Sequence, residues 1–356
     1  MPSTTETRTY DALTSTTLEN WAKTLEDEVT SSLFFFYMLK RNRSWISVRD
    51  LGERAKFSFA YENANADAYH KYDTVDVSPI DGISAGFYNW RQIASSISIS
   101  RIEERQNSGE YQWIGLLDEK TQQAKNALIE LFDKASLQGN GINTATAITT
   151  AYTSPNNGSV FYDPMPLLIG NAPTSGTVGS IPCNSVNSKG FQYWANQKTG
   201  STAANYAAFL TELEHLRNMC ARGIGGFPNI HLTDQATYEL YMAALRSQNR
   251  FTDYTRADIP FDNVAFHGQP VTWDEYMPNW AGGTTVQAAS QGTWLMINSN
   301  FYAVKYDAET NFITTPFVRP ENQDAKSALV LWYGTGGVSQ RRKHGVLSGI
   351  NTAFSS

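Results

Sequence analysis

From Ile114 to Ala135, the apolar residues Ile114, Leu117, Ala124, Leu128, Leu131 and Ala135 recur at spacings that return to one side of a 3.6-residue helix. Asp118, Glu119, Lys120, Lys125, Glu130 and Lys134 fall mostly around the rest of the cylinder. The spacing predicts a helix of about 25 residues, about 35 to 40 Å long, with a stop at the glycines Gly139 and Gly141. No other segment is as strongly patterned, so the remaining elements must be placed around this bar.

Upstream, the first sixteen residues are rich in Ser and Thr with little apolar content and read as a flexible arm. Leu18, Trp21, Leu25, Val29 and Leu33 then form a helical stripe that runs into the aromatic cluster Phe34, Phe35, Phe36 and Tyr37. Six cations follow (Lys40, Arg41, Arg43, Arg49, Arg54 and Lys56). Residues 56–100 alternate apolar and polar positions on either side of the turn-rich YDTVDVSPIDGISAG, which predicts a long two-stranded excursion. A ribbon of that kind is marginal in water and needs something to rest on.

Downstream of the long helix, INTATAITTAYT predicts a strand, and residues 153–202 form a stretch rich in Gly, Ser, Asn and Pro, of a length usually tied to function or to partners. Tyr206, Phe209, Leu213, Leu216 and Cys220 mark a helix ending at Gly223. PNIHLT follows as a strand, and Asp234 caps a helix through Leu240, Tyr241, Ala244 and Leu245. VAFHGQPVTW, TWLMINSNFYAVKYD, ALVLWYG and GVLSGI read as strands. Helices and strands mix without regular βα alternation, which gives an α+β class.

The 356 residues carry a formal net charge of -6, which excludes a global nucleic-acid footprint and leaves only local contacts to DNA. The basic run Arg341, Arg342, Lys343 is too short for a stable phosphate track. Cys183 and Cys220 allow at most one bridge and no zinc pair, as in a protein folding in a reducing compartment. The longest apolar cluster, LFFFYML, is too short to span a bilayer, so no membrane partner is expected. GISAG (Gly82 to Gly86) matches a nucleophile elbow but lacks the strand before and the helix after it, so a turn that uses glycine for unusual φ is the better reading, and Ser84 is not assigned as a nucleophile. The five histidines are scattered, and the pair Glu212 and His215 lacks a third metal ligand. The nine tryptophans and eighteen tyrosines suit either protein interfaces or a sugar-binding surface. The second option makes a carbohydrate-binding or glycan-active protein, with Trp194 and Trp280 exposed, the alternative function.

The order of arm, aromatic cluster SSLFFFYMLKRNR, β excursion, long helix, mixed region and final strand after a basic turn resembles the major capsid proteins of tailed bacteriophages. AYENANADAYHKYDTVDV, FYNWRQIASSISISRIEERQNSGEYQWIGLLDEKTQQAKNALIELF and WYGTGGVSQRRKHGVLSGI look like the corresponding segments of one branch of that family. The likeness covers most of the chain, with residues 153–202 and 250–290 similar only in character. It implies an N-arm over residues 1–40, the start of a P-domain at 41–55 and an E-loop at 56–100. The P-domain with its spine helix would follow at 101–140, the A-domain at 141–292, a P-domain return at 293–338 and the final strand and C-terminus at 339–356.

The resemblance further implies a protein without catalytic activity or cofactor, self-assembling into hexamers and pentamers of an icosahedral shell around double-stranded DNA. The implied partners are its own copies, scaffolding protein, portal and decoration protein, with weak local contacts to packaged DNA. The implied location is the virion, after assembly in the host cytoplasm. An encapsulating compartment of the same fold is a further possibility. Contacts between subunits are expected from Leu18, Trp21, Phe34, Phe35, Phe36, Trp45, Lys71, Trp90, Arg341, Arg342 and Lys343, with the three C-terminal cations meeting acidic groups.

Overall fold

A computed structural model describes residues 34–42, 44–106, 116–138, 161–223, 225–247, 264–277, 291–319 and 324–352. Leu18, Trp21, the strand expected at INTATAITTAYT and Trp280 lie outside these residues. Helix α1 (Phe34–Arg41) leads into β1 (Trp45–Val48), β2 (Arg54–Ala60), β3 (Ile83–Asn89) and β4 (Arg91–Ser100). Helices α2 (Arg101–Gln106) and α3 (Leu116–Gln138) follow. The single turn α4 (Met165–Leu168) precedes the short strands β5 (Thr177–Val178), β6 (Ile181–Pro182) and β7 (Gln197–Gly200). Then come α5 (Tyr206–Ala221), β8 (Ile230–Thr233), α6 (Gln235–Ser247), β9 (Val264–Phe266) and β10 (Gln269–Trp273). The chain ends through β11 (Gln291–Ile297), β12 (Tyr302–Thr314), β13 (Ala325–Val338), a 3-10 turn (Arg341–Lys343) and β14 (Gly345–Asn351).

Two larger sheets organise these elements, one of four strands in the order β1-β12-β13-β4 and one of six in the order β7-β14-β11-β8-β10-β9. The 23 residues of α3 make a bar of about 35 Å. Its buried stripe is Ala124, Leu128, Phe132 and Ala135, packed with Ile93 and Ile97 of β4 and with Ala328, Val330 and Trp332 of β13. Phe132 takes the place in the core that periodicity assigned to Leu131, which is half-buried.

In the six-stranded sheet, alternation along each strand serves two cores at once. Leu295 and Ile297 of β11 face the α3 core, whereas Trp294 and Met296 join Phe209, Leu213 and Leu216 of α5 and Tyr241 of α6 on the other side. Both covering helices start on capping polar residues, Asp234 as expected and Asn205 in addition. Asn205 Oδ1 accepts the Ala208 amide at 2.9 Å, and Asp234 accepts the Thr237 amide at 3.2 Å and the Thr237 hydroxyl at 2.8 Å. The last strand, β14, lies between β11 and β7 in this sheet.

The pairing of residues 56–100 differs from the expected single ribbon. β2 and β3 pair from Arg54↔Asn89 to Ala60↔Ile83, but β4 leaves them and pairs with β13 from Arg91↔Gly334 to Ser100↔Ala325. Alternation continues through Trp90 without a break, so period alone could not show that the partner changes there. Trp90 holds the corner, donating Nε1–H to the Leu51 carbonyl at 2.9 Å and stacking on Tyr333. Gly82 and Gly86 have ordinary φ, which corrects the turn reading of GISAG. Ser84 pairs with Phe59 within the ribbon, and the glycines are needed for space, since a Cβ on Gly82 would collide with the Glu62 carbonyl and one on Gly86 would press on Tyr88.

Candidate assembly surfaces

The β2–β3 ribbon is anchored at its root and bare at its tip. At the root, Phe59 stacks on Trp194 with centroids 4.6 Å apart, and Tyr61 stacks on Tyr193 at 4.3 Å. Trp194 is fully buried and donates Nε1–H to the Val178 carbonyl at 2.9 Å. The Phe87 amide donates to the Gly179 carbonyl at 3.0 Å, tying β3 to the β5–β6 hairpin. Glu62 accepts from the Ser188 amide and hydroxyl, which hold its carboxyl below the ordinary range.

Beyond the root, residues 61–82 contain no strand. Their shape comes from side chains that close on backbone. Asp76 accepts from the Ser78 amide and from Asn65 Nδ2, each at 2.9 Å, and Asp73 accepts from the His70 amide at 2.9 Å. Tyr69, Tyr72 and Val77 stand out from this tip, Tyr72 97% and Val77 90% exposed. Residues 61–82 carry five carboxylates (Glu62, Asp67, Asp73, Asp76 and Asp81) and one ammonium, Lys71, which is exposed.

A second apolar exposure lies on the four-stranded sheet, on the side away from α3. Leu329 and Ile313 are about half exposed there, and Leu331, the register partner of Ile313, lies beside them. Opposite Leu329 and Leu331 in register are the small residues Ser96 and Ala94 of β4, which leave the face shallow.

Backbone shape places all of this in a known architecture. The chain superposes on the capsid subunit of cyanophage A-1(L) with a TM-score of 0.63 at 14% identity, covering 94% of this chain and 97% of that one. It superposes on the Gordonia phage Cozz structure with a TM-score of 0.53 at 13% identity, covering 95% and 93%. The chain has the fold of the tailed-phage capsid proteins. The same capsid fold is present in the SrpI encapsulin of Synechococcus elongatus, matched with a TM-score of 0.55 at 10% identity over 97% of both chains. No protein-family model and no curated protein sequence matches this chain.

Within the capsid fold, several residues expected at subunit contacts sit in the core of their own chain. Phe35 and Phe36 are buried, with Phe36 edge-on to Trp45 and to Phe132 at 5.2 and 5.3 Å. Trp45 is enclosed by Phe36, Phe132, Tyr306 and Trp332. The side chain of Phe34 lies outside the described residues. The cluster therefore fastens α1 to α3 and β1; it is not an exposed patch.

The basic turn is corrected in the same way. Arg341 is 1% exposed, and its guanidinium donates to the carbonyls of Leu168 (2.7 Å), Trp194 (2.9 Å) and Pro173 (3.3 Å), to Asn196 Oδ1 (3.0 Å) and to Cys183 Sγ (2.8 Å). Lys343, also buried, donates to the Arg222 carbonyl at 2.9 Å. Their acceptors are carbonyls, an amide and a thiol in place of the carboxylates expected, because the 3-10 turn points both side chains under the sheet. Arg342 alone of the three is partly exposed.

Sequence reasoning missed the two buried histidines beside the six-stranded sheet. His344 Nδ1 accepts the Asn298 amide at 3.1 Å and His231 Nδ1 accepts Trp294 Nε1–H at 3.4 Å, while Nε2 of each makes no well-formed hydrogen bond and the Phe301 backbone lies beside the His344 ring. Burial pushes both imidazoles down to about 3, so both are neutral. Glu212 is occupied by Ser201 and Thr202, and among the described residues no group of three His, Cys, Asp or Glu could hold a metal. Both cysteines are free and buried. No described helix is long and apolar enough to cross a membrane.

Proposed function

We propose that this protein is a shell-forming subunit, the major capsid protein of a tailed bacteriophage, whose copies assemble as hexamers and pentamers into an icosahedral shell around double-stranded DNA. One observation carries the reading. A capsid fold spans nearly the whole chain, and its ribbon ends in a tip of exposed Tyr69, Tyr72 and Val77 that no other described residue covers. An apolar surface of this kind is stabilised when a neighbouring copy covers it, so subunit folding and association are linked.

In this reading residues 1–40 are the N-arm and the β2–β3 ribbon is the E-loop. The four-stranded sheet with α3 is the P-domain, and the six-stranded sheet with α5 and α6 is the A-domain. Lys71, exposed at the ribbon tip, and Arg342, partly exposed beside the final strand, are assigned to contacts between subunits. Scaffolding protein, portal and decoration protein are the implied partners, and the virion the implied location. The carbohydrate alternative loses its main support because Trp194 is fully buried under Phe59.

The test is a double substitution at the tip, Tyr72→Ser with Val77→Ser. The variant should keep the far-ultraviolet circular dichroism and thermal transition of the parent while losing assembly into large particles on gel filtration and sedimentation. Particles formed as readily as by the parent would count against the reading.

A further inference from the structure

Asp133 of α3 and Asp274, the residue after β10, are buried together, with no cation among the described residues beside them. Asp133 is 0% exposed and Asp274 3%. Neither oxygen of Asp133 has a well-formed hydrogen bond, nor has Asp274 Oδ2, while Asp274 Oδ1 accepts the Tyr276 amide at 2.9 Å. The two carboxyls face each other, with the Phe36 amide beside Asp133 and the Phe35 amide beside Asp274. These amides belong to the first turn of α1, where N–H groups have no partner inside the helix.

Among the described residues the surroundings supply no neutralising charge. Lys134 of α3 lies over the Tyr276 ring at 5.2 Å, and Glu130 of α3 accepts the Tyr276 hydroxyl at 2.8 Å. Glu275 and Tyr276 approach from the loop and Tyr162 from the segment before α4. The cations of α1, Lys40 and Arg41, are in its last turn, away from the pair. Two carboxylates that face each other in a buried site resist ionising together, whereas one proton between them makes a charge-assisted O–H···O⁻ bond.

We propose that Asp133 and Asp274 share one proton as a latch that fastens the start of α1 and the loop after β10 to α3, and that alkali opens the latch by removing that proton to solvent. Because the Asp274 amide also donates to the Thr233 carbonyl at 3.1 Å, the latch spans from the six-stranded sheet to the helices on the four-stranded one. Desolvation first and mutual repulsion second hold Asp133 well above the carboxylate range, and desolvation does the same for Asp274. With folded values raised, the stabilisation is full below about pH 4 and is lost as pH rises through those values. The inference concerns the subunit and does not depend on what the subunit assembles into.

Amide hydrogen exchange, corrected for intrinsic rates, tests it at about pH 7 and about pH 9.5. The parent should lose protection at least about tenfold in α1 and in residues 274–277 at the higher pH, with α5 unchanged. Asp133→Asn and Asp274→Asn should show equal protection at both pH values, since an amide donates to the remaining carboxylate without titrating. Parent protection that does not change with pH, or variants that lose as much as the parent, would overturn the latch. Should neither variant fold, isotope-edited infrared spectra of the 13C-aspartate-labelled parent decide. At about pH 7.5, where Asp163, pushed up to about 6 by burial, has ionised, a protonated aspartic acid band must be present and must vanish in alkali. Its absence at about pH 7.5 overturns the proposal.

Discussion

Arg341 brings a guanidinium into the protein interior and satisfies it with carbonyls from three separate segments. Replacing it by Gln would leave several buried acceptors without a donor, at a cost of about 3 kcal/mol or more. Arg341→Lys should recover little of this, because one ammonium cannot span a planar fork of acceptors. Arg342→Gln, at a partly exposed site, should stay within about 0.5 kcal/mol of the parent. Urea denaturation midpoints of the three variants check this order. The charges of Arg341, Arg342 and Lys343 are plain in the sequence but their destination is not. The acceptors Cys183, Trp194 and Asn196 precede Arg341 by 158, 147 and 145 positions, and nothing local ties them to it.

His231 and His344 give a second prediction at this scale. Their folded values of about 3 lie below the ordinary value of about 6.5. Their stabilisation is therefore full above about pH 6.5 and falls away toward about pH 3, by about 1.4 kcal/mol per pH unit for each imidazole. The raised carboxyls give the opposite slope above about pH 4, so the readout is a comparison of proteins. Between about pH 6.5 and about pH 4.5, stability of His344→Gln should fall less steeply with acid than that of the parent; parallel curves would show that His344 is not buried neutral.

Elements were legible where a pattern repeats locally. α3, α5 and α6 follow from helical spacing, and the start of α6 follows from Asp234, because a cap acts on amides within its own first turn. The partners of strands were less legible, since alternation fixes which face is buried but not which strand lies alongside. The ribbon root depends on such a long-range meeting, Phe59 on Trp194. Phe59→Ala would open a cavity there at a cost of about 3 kcal/mol. Hydrogen exchange of β2 and β3 should then speed up markedly more than that of β4, which is held by β13. Equal acceleration of all three strands would mean that the stack does not hold the ribbon.

At the scale of the molecule, the collinear order of arm, ribbon, helix and final strand was enough to suggest the capsid fold, because each segment keeps its character even where identity is near 14%. The contact surfaces were harder to find. Aromatic clusters look alike in sequence whether they pack inside one subunit, as Phe35, Phe36 and Trp45 do, or stand exposed, as Tyr72 does. The central claim is that copies of this chain close into a shell, and electron microscopy of the purified protein tests it most directly, with the protein expressed alone and together with the proteins encoded beside its gene. The account predicts uniform, closed, thin-walled particles built from rings of five and six subunits in at least one of the two preparations. A protein that remains monomeric in both, at concentrations where its fold is intact, would contradict it.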